Sequence, residues 1–267
     1  MNSILLVGAG KMGAALLRGW SQLSDFQTMV IDPTAHQSDD DDPERVTRHQ
    51  NLSEIPPAQL QPDAIVFAVK PQSFAEVLPD YQPLIARTQP LVISIAAGVP
   101  IARIRSLSKA RAILRTMPNL PATVGRGVTA LLAEGCTRPQ LHLAETLMKA
   151  VGTIEWLKSE SQFDAVTALS GSGPAYVFLL AEAMASAGAT LGLEPELAAR
   201  LAQATVVGAS ELLARSDYDP ETLRHQVTSK GGTTAAALEI LMQPNGVPQL
   251  LTKAMTAARD RSVELGK

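Results

Sequence analysis

The stretch Val227-Thr228-Ser229-Lys230-Gly231-Gly232-Thr233-Thr234 puts glycines and hydroxyl side chains directly before the helix-forming run Ala235-Ala236-Ala237-Leu238-Glu239-Ile240-Leu241. The first amides of a helix have no partner within it, and the aligned peptide dipoles leave that end partly positive. Such an end holds a small anion, although hydroxyl residues and glycines also open many ordinary capped helices. A second glycine set, Gly8-Ala9-Gly10-Lys11-Met12-Gly13, follows the apolar run Ile4-Leu5-Leu6-Val7 and precedes Ala14, Ala15, Leu16, Leu17 and Trp20 at helical spacing. Between a strand and a helix, Gly8 permits the tight turn, Gly10 lets the backbone approach a pyrophosphate, and Gly13 lets the helix pack on the strand. Asp32 ends the next apolar run, about 20 residues after Gly13, where a carboxylate accepts hydrogen bonds from the ribose hydroxyls of an adenine dinucleotide. The same charge repels an extra 2′-phosphate, and residues 33–43 contain no arginine to offset it, which favours NADH. The acidic run at residues 38–44 reads as a solvated loop that adds negative potential if it lies near the adenosine.

These residues need a frame, and the first half of the chain predicts a Rossmann fold: strands alternating with helices in a mostly parallel sheet. Strands are expected over residues 28–31, 64–69, 91–95 and 112–116, with helices after Phe74, over 101–107 and over 140–151. Residues 127–133 and 152–157 complete the sheet. The strand ends carry Ala68-Val69-Lys70-Pro71, Ala96-Ala97-Gly98 and Met117-Pro118-Asn119, all expected at the carboxyl edge of the sheet, where ligands bind in such folds. Pro71 forbids simple continuation of its strand.

From about Ser159 onward the strand signal stops. Helical runs cover 163–170, 174–191, 195–215, 220–226, 233–242 and 247–265, with Pro174, Pro195 and Pro220 suited to first helical turns. The glycine-rich segment 168–176 breaks the first two of these. The domain division is therefore expected at 1–158, dinucleotide-binding, and 159–267, all-helical. Residues 174–191 are apolar or small except for a stripe of Glu182, Ser186 and Thr190, and 195–215 is apolar around much of its circumference. Helices of that kind require burial on most faces, and about a hundred residues hide little surface alone. The helical half is expected to pack against a second copy of the chain as a homodimer.

The 267 residues carry a net charge of −3, which gives no general attraction to nucleic acid or to an anionic membrane, so a small-molecule ligand is the better expectation. Cys136 is the single cysteine, and His36, His49, His142 and His225 show no metal-ligand spacing. No metal is expected. The start of the chain lacks the basic region and apolar length of a signal peptide, and no stretch reaches membrane-spanning length, so a reducing cytoplasm is the expected compartment.

Four segments in their order carry a resemblance along essentially the whole chain: Ala68-Val69-Lys70-Pro71, Arg115-Thr116-Met117-Pro118-Asn119, Ala168-Leu169-Ser170-Gly171-Ser172-Gly173-Pro174-Ala175-Tyr176, and the glycine-hydroxyl segment at 227–234. In them the chain resembles the pyrroline-5-carboxylate reductase family. The resemblance implies NAD(P)H-dependent reduction of the cyclic imine 1-pyrroline-5-carboxylate to L-proline, the last step of proline biosynthesis. It implies that Gly232, Thr233 and Thr234 hold the substrate carboxylate with their amides, that the Thr234 hydroxyl lies by the ring nitrogen, and that Ser229 and Gly231 shape the same loop. It places Glu160 and Gln226 near the substrate, and Asn51, Val69, Lys70 and Ala97 near the cofactor. Three departures stand out. Lys11 replaces an asparagine of the family's glycine turn and brings a positive side chain within reach of a phosphate. Asp32-Pro33 stands where many members carry serine or asparagine and then arginine, against the family's common use of NADPH. Lys230 replaces a frequent proline.

Two other readings compete. A β-hydroxyacid dehydrogenase shares the Rossmann-then-helical plan but uses a lysine on an early helix of its second domain, and residues 174–191 contain none. A non-catalytic dinucleotide sensor would need no anion-holding segment like Gly231-Gly232-Thr233-Thr234.

Overall fold

The computed structural model describes residues 1–34, 42 and 44–266; His36 and most of the acidic run expected as a solvated loop lie outside the described residues. An eight-stranded sheet is built from β1 (Asn2–Val7), β2 (Phe26–Ile31), β3 (Val46–His49), β4 (Ala64–Phe67), β5 (Leu91–Ser94), β6 (Ile113–Met117), β7 (Gly127–Glu134) and β8 (Gly152–Trp156), in the order β3-β2-β1-β4-β5-β6-β7-β8. All neighbours pair parallel except β6 with β7. The helices of this part are α1 (Lys11–Trp20), α2 (Phe74–Val77), α3 (Gln82–Thr88), α4 (Ile101–Ser108), α5 (Arg138–Lys149) and α6 (Phe163–Val166).

The period of two in β1 decides which side chains face which layer. Ile4 and Leu6 join Leu16, Trp20, Ala144 and Leu147 on one face, whereas Leu5 and Val7 join Phe67, Phe74, Tyr81 and Ile104 on the other. The Trp20 indole N–H donates to the Leu147 carbonyl at 2.9 Å, so its one polar group is satisfied in the core. The register aligns the strand ends: Val7 pairs with Ile31 and Phe67, Phe67 with Ser94, and Ser94 with Arg115. The glycine turn and the three expected strand-end motifs therefore leave the sheet at one edge. The chain winds outward from β1 in both directions, so the strand order reverses between β1 and β4, the position at which open α/β sheets form a ligand crevice.

Two local expectations are corrected. The short edge strand β3 was not anticipated, because Val46-Thr47-Arg48-His49 carries one buried apolar residue and no alternation long enough to count. The single helical stretch after Phe74 is instead a chain of short pieces, with 3-10 turns at Pro71–Ser73 and Leu78–Tyr81 between α2 and α3. Pro79 and Pro83 lack the amide that a continuous helix needs and sit at the start of the pieces that contain them.

Thr167–Gly171 form a π-helical turn rather than a loose glycine break. Contacts divide the chain into Met1–Gly171 with Arg259–Lys267 as one compact unit and Ser172–Ala258 as the other, so the expected boundary at 158/159 falls inside the first. The second unit holds α7 (Gly173–Thr190), α8 (Pro195–Arg215), α9 (Pro220–Gln226), α10 (Thr233–Leu241) and most of α11 (Val247–Leu265). Within this unit only Ala198 and Ala202 are buried, while Val177, Phe178, Leu179, Leu180, Leu201, Val207 and Leu212 are exposed.

Candidate functional site

In the first unit, Gly8 adopts φ of +94°, a conformation that side chains rarely permit, and a Cβ there would lie 2.9 Å from the Ala68 carbonyl oxygen. A Cβ on Gly13 would overlap the Gly8 carbonyl oxygen, so the helix reaches the turn only because both residues are glycine. A Cβ on Gly10 would meet nothing within 4 Å, which leaves that face open to a ligand. Gly10 is the N-cap of α1, no side chain caps the helix, and its first turn contains no acid. Lys11 at the helix start is exposed and makes no ion pair among the described residues, while Met12 packs part-buried on the core.

Asp32 faces this turn. One carboxylate oxygen accepts from the Ala9 amide at 2.7 Å and the other from the Thr34 amide and hydroxyl at 2.8 and 2.7 Å. Burial pushes the carboxyl up, but these hydrogen bonds and the Arg48 charge together outweigh it and hold it below its ordinary range. A cleft of about 380 Å³ opens beside it, lined among others by Gly8, Asp32, Asn51, Val69, Glu76 and Tyr81. Four expected cofactor residues thus meet in one cavity. Glu76, Asp80 and Tyr81, missed in the sequence, line the same cleft from the broken helical stretch, where the fragmentation hid their facing. Burial and then the Asp80 charge push the Tyr81 hydroxyl pKa upward, keeping it neutral. Asn51 shares a short hydrogen bond with Ser53 and donates to Glu54 at 2.8 Å, which fixes its orientation at the cleft rim.

The other expected edge residues divide by use. Lys70 and Pro71 open the 3-10 turn after β4 and are exposed. Ala96 is buried with its amide donating to the Ser94 hydroxyl at 3.3 Å, and Ala97 is exposed on the same loop. Met117 is half-buried, with its Cε 2.7 Å from the position a Cβ on Gly171 would take, and Pro118 is buried. Asn119 is tied into the fold: its amide nitrogen donates to the Ser170 carbonyl at 3.0 Å and its oxygen accepts from the Val128 amide at 2.9 Å. Those bonds tie the end of β6 to the π-helical turn and to β7. Glu160 likewise has structural partners, accepting from the Ile101 amide and the Arg115 guanidinium, each at 2.7 Å.

In the second unit, Gly231 takes φ of +73° and delivers the chain into α10, whose N-cap is Gly232 with no side-chain cap. The Gly232 amide, expected at the substrate carboxylate, donates here to the Ser229 carbonyl at 3.0 Å and closes the turn. A Cβ on Gly232 would overlap the Ser229 hydroxyl oxygen. The first-turn amides of Thr233 and Thr234 have no acceptor among the described residues. Thr234 is half-buried; Ser229 and Lys230 are exposed, as is Gln226 at the end of α9. This end carries helix-dipole charge with free donors and a hydroxyl beside them, which is the equipment for a carboxylate and a neighbouring polar atom. Among the described residues no group of acidic, histidine or cysteine side chains is placed to hold a metal ion, and no helix is long and apolar enough to cross a membrane.

A family model described as pyrroline-5-carboxylate reductase dimerisation matches residues 160–265, and one described as NADP oxidoreductase, coenzyme F420-dependent, matches residues 3–98. A pyrroline-5-carboxylate reductase of Pseudomonas aeruginosa is 39% identical over 271 residues, covering 99% of this chain and 97% of that one. The chain belongs to the pyrroline-5-carboxylate reductase family. Among solved structures, a pyrroline-5-carboxylate reductase from Coxiella burnetii superposes with a TM-score of 0.87 at 36% identity, covering 99% of this chain and 98% of the other. A Plasmodium falciparum pyrroline carboxylate reductase with NADP bound gives 0.82 at 27% identity, covering 100% and 98%. The family's dimerisation region begins at residue 160, ahead of the compact division after Gly171.

Proposed function

We propose that the chain reduces 1-pyrroline-5-carboxylate to L-proline with a reduced nicotinamide dinucleotide. The observation that carries the reading is the uncapped start of α10, with the free amides of Thr233 and Thr234 beside the Thr234 hydroxyl, in a chain that belongs to this family. The positive φ of Gly8, the open face of Gly10 and the uncapped start of α1 fit a pyrophosphate. The dinucleotide supplies the hydride. The residues of this chain then have three tasks. Thr233 and Thr234 hold the substrate carboxylate through their amides. The Thr234 hydroxyl hydrogen-bonds the ring nitrogen, and the turn closed by Ser229 and Gly232 keeps those donors aimed. No strong protein acid is required when the imine nitrogen arrives protonated, because hydride addition to the imine carbon then yields the neutral secondary amine directly. Orientation and exclusion of water are what remain for the protein to supply.

Both NADPH and NADH serve as donors in this reading. The relative with NADP bound supports the first. Asp32, with Glu76 and Asp80 on the same cleft, supports NADH, since these carboxylates oppose a 2′-phosphate. The bare apolar surface of α7 and α8 and the matched dimerisation region support a homodimer, and the single cysteine suits a reducing cytoplasm. Steady-state oxidation of each dinucleotide on addition of the cyclic imine tests the activity, with turnover expected at about 1 s⁻¹ or faster. Absence of imine-dependent oxidation with either donor overturns it.

A further inference from the structure

The loop between β5 and α4 carries Ala96 and Ala97, and three contacts fix it. At its start the Ala96 amide donates to the Ser94 hydroxyl at 3.3 Å. In the middle, Gly98 at φ +73° lies against the end of α11, with the Gly266 Cα 3.6 Å from where a Gly98 Cβ would stand. At its far end the Ile101 amide, the first in α4, donates to Glu160 at 2.7 Å. The same Glu160 oxygen accepts from Arg115 at 2.7 Å, and Arg115 is itself fixed, with its guanidinium 4.1 Å from the centre of the Phe163 ring and its side chain only 7% exposed. The carboxylate therefore joins the middle of β6 to the start of α4, and its negative charge sits at the positive end of that helix.

We propose that Glu160 is a positioning residue for the dinucleotide, holding the 95–100 loop in place. The inference rests on reading Ala96 and Ala97 as part of the cofactor site. One oxygen binds both the first amide of α4 and an arginine that is locked on an aromatic ring, which sets the position of the carboxylate and, through it, the far end of the loop. Disturbing the loop should act on dinucleotide binding and leave the substrate end untouched.

The test uses the full chain with E160A and E160Q, following dinucleotide Kd by fluorescence titration without imine, imine KM at saturating dinucleotide, and hydrogen exchange of the peptide containing Ile101 in the unliganded protein. For E160A, Kd should rise about tenfold, the scale of a small misplacement of a binding group, with imine KM within about twofold of wild type. Exchange at Ile101 should accelerate. E160Q keeps an acceptor for the Ile101 amide and loses only the ion pair, so its Kd should rise about threefold with exchange close to wild type. Where the alanine variant does not fold, the glutamine variant decides by a raised dinucleotide Kd with unchanged imine KM. A raised imine KM with unchanged Kd overturns the proposal, as does no change in either. Wild type settles the dependence on the functional reading: dinucleotide binding without imine reduction sinks that reading and leaves the loop role to be judged on Kd and exchange, while absence of dinucleotide binding sinks both.

Discussion

At the scale of single residues, Thr234 bears most of the proposed chemistry. Thr234→Ala removes the hydroxyl beside the ring nitrogen while keeping the backbone amide, and turnover should fall about 10- to 1000-fold, the range for one or two positioned hydrogen bonds at a reacting atom. Unchanged kcat/KM in that variant would remove Thr234 from the mechanism. Asp32 has a double role, because its oxygens organise the turn through Ala9 and Thr34 while its charge borders the cleft. Asp32→Ser should raise the efficiency of NADPH relative to NADH; a constant ratio would mean that the carboxylate serves only the turn. The lowered pKa of Asp32 also has a thermodynamic consequence. A depressed carboxyl contributes stability above its ordinary 3.8 and loses it as pH falls from there through the folded-state value. Acid titration of stability should therefore be shallower in Asp32→Asn than in wild type below that pH, and equal slopes would show that the hydrogen bonds persist in the unfolded chain.

Among the elements, the strand-turn-helix of β1 and α1 was legible because Gly8 and Gly13 each do something that no other residue can. Gly13→Ala would drive a methyl group into the Gly8 carbonyl, costing about 1–3 kcal/mol of stability. Dinucleotide affinity should fall with it, and calorimetric melting with a binding titration checks both. Wild-type affinity in a stable Gly13→Ala protein would mean that the turn relaxes without moving the phosphate-facing amides. The α10 start was equally legible from its glycines and threonines, yet the donation by Gly232 to Ser229 was not, since a closing turn and a free amide read the same in sequence. Asn119 and Glu160 stood out by resemblance as site residues, and their partners come from segments far along the chain: Ser170, Val128, Ile101 and Arg115. No periodicity reports such pairings. The edge strand β3 escaped for a different reason, being short, polar and stabilised by its parallel neighbour β2 rather than by its own pattern.

For the whole molecule, the helical unit cannot bury its own apolar side chains. Phe178 and Leu179 on α7 are each 62% exposed, and an apolar surface of this extent marks an interaction site. Sedimentation at micromolar protein should show a dimer or an assembly of dimers. Leu179→Glu should weaken association at least about tenfold if it sits in the buried part of the interface. A wild-type chain that sediments only as monomer would leave the exposed faces of α7 and α8 unexplained. The sequence revealed this need through the uniformly apolar 174–191 run, and its division at 158/159 lies beside the start of the matched dimerisation region, ahead of the contact-based division after Gly171. The turn at 167–171 packs with the sheet-bearing unit, held by Asn119 and filled by Met117.

In the proposed mechanism the free amides at the start of α10 select a cyclic imino acid as the substrate. The most direct measurement is imine-dependent oxidation of NADPH and NADH by wild type and Thr234→Ala side by side, each with 1-pyrroline-5-carboxylate and with the same ring lacking its carboxylate. Rapid oxidation is expected with the carboxylated imine, with about a hundredfold or greater preference over the bare ring for loss of a charge-assisted anchor, and a slow Thr234→Ala enzyme. Equal rates on the two imines, or no oxidation with either, would contradict it.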